Sequence, residues 1–404
     1  MRFHRNLVEG VIEALDAIFN GGAYADKALE SLLRKNRRWG SRDRGFVAET
    51  VYDIVRWKRL YSKIAGVETP YKSTDGYRLF AVWALLKGYA LPEWPEFKGF
   101  SGKEVRKRHK SLSEIRKYRE SIPDWLDVLG AESLGEDSWT RELAALNEQA
   151  QVVLRANRLR TTPEALQKEL AAEGIGTDLI AGYPDALRLH ERGNVFRTQA
   201  FQKGLFEVQD AASQHVAPFL QAEPGMRVID ACAGAGGKAL HLSALMENKG
   251  QLLALDIYPG KLKELKKRAK RAGAFNIETR LISSSKVIKR LSNTADRVLI
   301  DAPCTGLGVL RRNPDAKWKL QPEFVEEVCQ TQQDLLTRYS RMLKQDGQMV
   351  YATCSILPDE NEQQVNTFLK SEAGKGFQLL EERHIFPSLE GFDGFYMARL
   401  ERKD

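Results

Sequence analysis

The sequence predicts an α/β protein: a mostly parallel, doubly wound sheet in the C-terminal half, preceded by a small α/β module and an all-helical first third. Three observations predict it. From Val228 onward, short apolar runs alternate with stretches of helical spacing. A glycine loop, Gly234-Ala235-Gly236-Gly237, stands where the first of those runs turns into a helix. Before residue 149 the apolar residues recur every three or four positions, with no clear strand. The expected domains are 1–148, 149–206 and 207–404.

In the first domain Leu7, Val11, Leu15, Ile18 and Phe19 share one helical face, as do Leu29, Leu32 and Leu33, then Val47, Val51, Ile54, Val55, Tyr61 and Ile64, and then Leu79, Phe80, Trp83 and Leu86. Between two of these helices lies the basic stretch Arg34 to Arg44, interrupted by Trp39. It reads either as a solvated turn with a helix cap at Ser41 or as a phosphate-binding loop whose Trp stacks on RNA bases. The basic run Lys103 to Arg119 reads as a solvated linker. Val152 to Ala156 predicts a strand, Thr162-Pro163 caps a helix that stops at Gly174, and short apolar runs follow at Leu179-Ile180 and Leu187 to Leu189. The sheet strands are expected at Arg227–Asp230, Leu252–Asp256, Thr279–Ile282, Val298–Asp301 and Gln348–Thr353. The basic helix Lys261 to Arg271 reads as a solvated outer face.

A chain of 404 residues with a formal charge of +8 favours an acidic partner such as nucleic acid. No run approaches membrane-spanning length, and the first residues hold no apolar signal core, so secretion and membrane insertion are not expected. The four cysteines, Cys232, Cys304, Cys329 and Cys354, include no C-x-x-C pair, and the six histidines are scattered. Neither a disulfide scaffold nor a metal site is expected, and a reducing cytoplasm and a monomer are.

The stretch Val228 to Lys238 is a strand running into the glycine loop, the place where adenosine cofactors bind in open α/β sheets. Asp256 ends the next apolar run twenty residues after Gly236, the spacing at which a carboxylate holds ribose hydroxyls. This pattern alone fits a nicotinamide dinucleotide as well as S-adenosylmethionine. Two further strand ends open on the same crevice: Asp301-Ala302-Pro303-Cys304-Thr305-Gly306, and Thr353-Cys354-Ser355 followed by Glu360-Asn361-Glu362. Cys232 and Cys329 read as packing, because most free cysteines are small buried apolar groups.

Two thiols and a carboxylate beside an adenosine site have a specific chemical use. Carbon 5 of cytosine is too poor a nucleophile to take a methyl group. A thiolate adding at carbon 6 makes an enamine whose carbon 5 can attack a sulfonium methyl, and a base must later remove the carbon 5 proton. A nicotinamide enzyme needs no such pair.

The motifs Asp-Ala-Cys-Ala-x-x-Gly-Gly-Lys (230–238), Asp-Ala-Pro-Cys-x-Gly-x-Gly (301–308) and Thr-Cys-Ser (353–355) with Glu-Asn-Glu (360–362) resemble the RsmB-like (Nol/Nop/Sun) RNA cytosine-5 methyltransferases. Phe206 to Asp210 and Gly394-Phe395-Tyr396 are similar to that family's flanking segments. The resemblance covers the chain from Val152 onward. The helical first third looks more weakly like the family's NusB-like RNA-binding module. The resemblance implies a class I methyltransferase Rossmann-like sheet, a ferredoxin-like small module, S-adenosyl-L-methionine as cofactor and RNA, above all 16S ribosomal RNA, as partner. It implies Cys354 as nucleophile and Cys304 as the residue that helps resolve the adduct, with Asp301 and Lys238 near the base. It also implies that the cofactor is bound by Cys232, Ala233, Gly234, Ala235, Gly236, Gly237, Lys238, Asp256 and Asp301. The chain departs from the family at Ala235, where Pro is usual, and at Ser283, where an Asp usually ends the third strand; the Ser283 hydroxyl is expected to replace one of that carboxylate's hydrogen bonds.

Overall fold

A computed structural model describes residues 3–72 and 74–403 and divides into two compact units. One comprises the chain up to Glu148 together with Leu310–Pro322, and the other comprises Gln149–Val309 and everything from Glu323 onward.

The first unit is helical among its described residues. Helices Arg5–Phe19, Ala25–Lys35, Ser41–Arg56, Lys58–Ala65 and Asp75–Leu86 bury the apolar faces read from the sequence, with Val8, Val11, Val47, Val51, Ile54 and Phe80 at the centre. Trp57 separates the third and fourth helices, which the spacing had run together. The stretch Lys103 to Arg119 is not a linker but helices Gly102–Leu112 and Arg116–Arg119, held by Val105 in the core and by the Arg108 guanidinium on the Ile64 carbonyl. In the basic loop Trp39 is buried, close enough to Gly10 that a Cβ there would lie 2.5 Å from the ring. It is a core residue and cannot stack on a base. Nor does Ser41 cap the following helix: Gly40 holds that position, and its N–H donates to the Asp43 carboxylate. Leu310–Pro322, which the sequence pattern attaches to the sheet, joins this helical unit. The Trp318 indole donates to the Val55 carbonyl at 2.7 Å, Arg56 donates to the Arg311 carbonyl at 2.9 Å, and Arg311 donates to the Ala145 carbonyl at 2.9 Å.

The second unit holds two sheets. The first is a four-stranded antiparallel sheet of β1 (Val153–Ala156), β2 (Thr177–Ile180), β3 (Tyr183–Leu189) and β4 (Phe206–Val208) in the order β2-β3-β1-β4. Its helix Pro163–Ala172 starts as expected, with the Thr162 hydroxyl accepting from the Ala165 N–H. The large sheet contains β5 (Arg227–Asp230), β6 (Gln251–Asp256), β7 (Ile277–Leu281), β8 (Ala295–Asp301), β9 (Leu343–Thr353), β10 (Phe377–Ile385) and β11 (Phe395–Arg402). The order is β10-β11-β9-β8-β5-β6-β7, with β5 to β9 parallel and β10 and β11 antiparallel at one edge. The sequence supplies the five parallel strands: β5, β6 and the ends of β8 and β9 are apolar runs buried on both faces, while the edge strand β7, Ile277–Leu281, is not buried and follows from the strand-helix alternation. It misses β10 and β11. The carboxyl ends of β5, β6, β8 and β9 lie side by side, with the order reversing at β5.

Candidate active site

The glycine loop leaves β5 and enters the helix Gly237–Leu245. Gly234 and Gly236 have φ of +55° and +89°, the left-handed region that favours glycine. A Cβ at Gly236 would also lie 2.5 Å from the Leu265 side chain. The loop bounds a cavity of about 680 Å³ together with Gln209, Ile257, Tyr258, Ile282, Pro303 and Leu335. That volume suits a nucleoside-sized ligand. Cys232, Ala233, Gly234, Ala235, Gly237, Lys238, Asp256 and Asp301 all line it. Two residues expected there do not. Gly236 turns its α-carbon toward Leu265, so its contribution is conformational. Ser283 is exposed and off the wall, because the Ile282 N–H continues the β7 ladder onto the Asp256 carbonyl and Ile282 takes the inward position.

Asp256 is buried, and its carboxylate accepts from the Gly234 N–H at 2.8 Å and the Tyr258 N–H at 2.7 Å. It therefore fixes the loop as well as facing the cavity, and each oxygen keeps a lone pair free for a ligand hydroxyl. Asp230 is 1% exposed, and neither of its oxygens has a hydrogen-bond partner among the described residues. Burial, followed by the nearby Asp301 charge, raises its pKa to about 7.

At the next strand end the Lys238 ammonium donates to Asp301 at 2.6 Å. Burial works against the charge on Lys238, but the Asp301 charge and hydrogen bond outweigh it and raise the ammonium above its ordinary value. Beyond this pair, the Cys304 and Cys354 sulfurs are 3.3 Å apart. The hydrogen bond to Cys354 comes first among the causes that push the Cys304 thiol up, followed by burial. Cys304 and Cys354 come from β8 and β9, which are adjacent and parallel, so strand pairing brings together two residues fifty positions apart. Their loops pack backbone to backbone. The Gly308 N–H donates to the Cys354 carbonyl at 2.9 Å, and a Cβ on Gly308 would lie 2.8 Å from that oxygen and 2.3 Å from the Gly394 carbonyl. Cys232 lines the cavity, with its thiol raised by burial, and burial raises Cys329 to about 12.

Residues 217–401 match the family described as 16S rRNA methyltransferase RsmB/F, and residues 122–196 match its ferredoxin-like domain. The chain is 31% identical to a probable ribosomal RNA small subunit methyltransferase B of Synechocystis, over 94% of this chain and 96% of that one. A Bacillus subtilis protein of the same description is 31% identical over 70% of this chain and 67% of its own. The chain belongs to the RsmB/F methyltransferase family. Two solved structures share the fold: PH0851 (TM-score 0.83, 24% identity, all of both chains) and NSun6 from Pyrococcus horikoshii with SFG (TM-score 0.64, 21% identity, 71% of this chain and 100% of that one).

The cofactor of this RsmB/F member is S-adenosylmethionine, and the cavity fits it. The loop is open where a Cβ on Gly234 or Gly237 would meet nothing within 4 Å, and the orphaned Asp230 carboxylate lies beside it. Two arginines outside the motifs shape this loop. Arg155 on β1 donates to the Gly237 carbonyl at 2.7 Å, and Arg268 donates to the Ala235 carbonyl at 2.8 Å while gripping the buried Glu207. The one signal for them is Arg155 itself, a charged residue in the middle of a strand that is buried throughout. Arg268 sits in the basic helix read as solvated: its lysines are exposed, while Arg268 and Arg271 turn inward onto Glu207.

Proposed function

We propose that this methyltransferase modifies carbon 5 of a cytosine in ribosomal RNA, with 16S RNA as the substrate. The observation that carries the reading is the pair of sulfurs 3.3 Å apart, next to a lysine–aspartate pair at the mouth of the cofactor cavity. S-adenosylmethionine supplies the electrophilic methyl group. Asp256, Gly234, Gly237 and Cys232 hold it, with Ile257 and Tyr258 as apolar walls.

Cys354 adds to carbon 6 of the base. Cys304, whose thiol is held protonated by its bond to Cys354 and by burial, donates toward the neighbouring sulfur. It steadies negative charge there as the thiolate forms; after methyl transfer a solvent base takes the carbon 5 proton, the electrons of that C–H bond re-form the ring double bond, and the bond from carbon 6 to sulfur breaks to return Cys354 as a thiolate facing Cys304. Addition pushes negative charge onto the ring, and the Lys238 ammonium, held in place by Asp301, faces that charge. The base must leave its stack to reach this site, which costs a few kcal/mol, so the target cytosine is unpaired or weakly paired. The helical unit binds the RNA: Arg37, Arg38 and Arg42 of its basic loop are exposed, which suits phosphate contacts without base stacking.

Bisulfite mapping of cellular RNA with and without the gene tests this reading. A single cytosine in 16S RNA should lose its methyl group when the gene is absent. No change at any cytosine would instead leave a ribosome-binding protein with a retained methyltransferase fold.

A further inference from the structure

One buried ionisable group beside the thiols has no part in the chemistry above. Glu360 is 0% exposed, and its carboxylate receives four donors. The Thr305 N–H at 2.8 Å and the Gln332 amide at 3.1 Å meet one oxygen, and the Thr305 and Ser355 hydroxyls, each at 2.5 Å, meet the other. Thr305 follows Cys304, and Ser355 follows Cys354. The residues preceding the thiols are held by the same corner. Gln332 also donates to the Pro303 carbonyl at 2.9 Å. Asn361, next to Glu360, accepts from the Thr353 hydroxyl at 2.6 Å and donates to the Ser355 carbonyl at 3.1 Å. The Tyr351 hydroxyl closes the corner on the Glu360 carbonyl at 2.7 Å. Of the four residues that flank the thiols, Thr305 and Ser355 are thus bonded to Glu360 itself, Pro303 to Gln332, which contacts it, and Thr353 to Asn361, its neighbour in the chain.

We propose that Glu360 is a positioning residue: its carboxylate ties the residue after each thiol to one point and so sets the two thiol loops in register. This deepens the reading above and rests on it. A group that meets only donors is an acceptor on both oxygens, the form an ionised carboxylate takes. Fold stability alone does not call for it, since an apolar residue of similar volume is often as good or better than a buried charge network. Its charge has a direction. The ionisable groups facing Cys304 are Cys354 and Glu360, with Tyr351 behind them, and both the Cys354 and Glu360 charges oppose a thiolate at Cys304. The cation on the far side, Lys238, interacts with Cys354.

The test uses the full chain with Glu360→Gln. The amide keeps the shape but can accept at one oxygen only, so at least two of the four donors lose their partner. Iodoacetamide labelling of Cys304 across pH, read by peptide mass, needs neither RNA nor methyl donor. In Glu360→Gln its midpoint should fall by about one pH unit. In methyl transfer, kcat should fall by roughly 30-fold or more, while KM for S-adenosylmethionine stays within about twofold, because the cavity is untouched. An unmoved Cys304 midpoint together with near-normal kcat overturns the proposal. If wild type makes no 5-methylcytosine but the Cys304 midpoint shifts as expected, the cytosine reading fails and the positioning role stands. If Glu360→Gln does not fold, Ser355→Ala and Gln332→Met replace it. Each removes one donor and keeps the charge, so kcat should fall by about 3- to 10-fold with the Cys304 midpoint unmoved. Full kcat in both overturns the proposal.

Discussion

The two rims of the site are fastened by groups of opposite sign. On the cofactor rim, Arg155 and Arg268 reach carbonyl oxygens of the glycine loop from outside the motif, so the loop N–H groups remain for a ligand. On the thiol rim a carboxylate collects the N–H and O–H donors of the residues that follow the two thiols. Each clamp takes the backbone polarity that the chemistry in front of it does not use. The lesson is that a motif supplies the reacting atoms, and residues far from it in sequence supply the polarity that makes them usable.

The comparison can be broken at either rim. The largest effect is expected from Cys354→Ala, which should lower kcat by on the order of 10³ or more in a methyl-incorporation assay. Cys304→Ala should differ in kind, accumulating a covalent RNA adduct visible on a denaturing gel, because addition survives and departure is slowed. Full turnover by Cys354→Ala would refute the assignment of the thiol rim. On the other rim Arg268→Met should raise KM for S-adenosylmethionine about tenfold and leave kcat nearly unchanged, since it frees the Ala235 carbonyl without touching the thiols. A kcat defect of equal size would show that the rims are not separable.

Asp230 sharpens the contrast through pH. Its folded pKa of about 7 lies above the ordinary aspartate value, so the folded state holds an extra proton between roughly pH 4 and 7. That contribution is fully present below about pH 4 and is lost as pH rises toward 7. Asp230→Asn removes the ionisation, and its melting temperature relative to wild type, without cofactor, should climb between pH 5 and 8. A gap that does not change with pH would contradict this. The smallest effect is expected at His241, buried against Asp185 at 3.2 Å with its pKa lowered to about 4, first by burial and then by the Arg155 charge. Its contribution is present above about pH 6.5 and lost as pH falls toward 4, so His241→Gln should flatten the acid side of the stability profile. A slope as steep as wild type would place the loss elsewhere.

The central parallel strands and the reacting groups were legible in the sequence because each leaves a local signature: a run buried on both faces, a glycine turn, a thiol at a strand end. What stayed hidden depends on partners distant in the chain. β10 reads Phe-Gln-Leu-Leu-Glu-Glu-Arg-His-Ile, an edge strand whose outward residues are charged, so it shows neither a buried run nor clean alternation. Trp39 has the composition of a stacking residue, and only the packing of Gly10 shows that it is core. Glu360 stood in a recognised motif with no role, because its meaning lies in Thr305 and Gln332, which the sequence does not connect to it.

The segment Leu310–Pro322 makes the helical unit discontinuous. Arg311 meets the Ala145 carbonyl, and Trp318 meets the Val55 carbonyl, so a piece of the C-terminal part of the chain completes the core of the N-terminal part. A protease cut between Glu148 and Gln149 would therefore leave two fragments that remain associated, since the second carries a wedge built into the first. The N-terminal fragment made alone would lack that wedge and expose the backbone and apolar surface it covers. Supplying the missing thirteen residues, Leu310–Pro322, as a separate peptide becomes a complementation assay for this half of the protein.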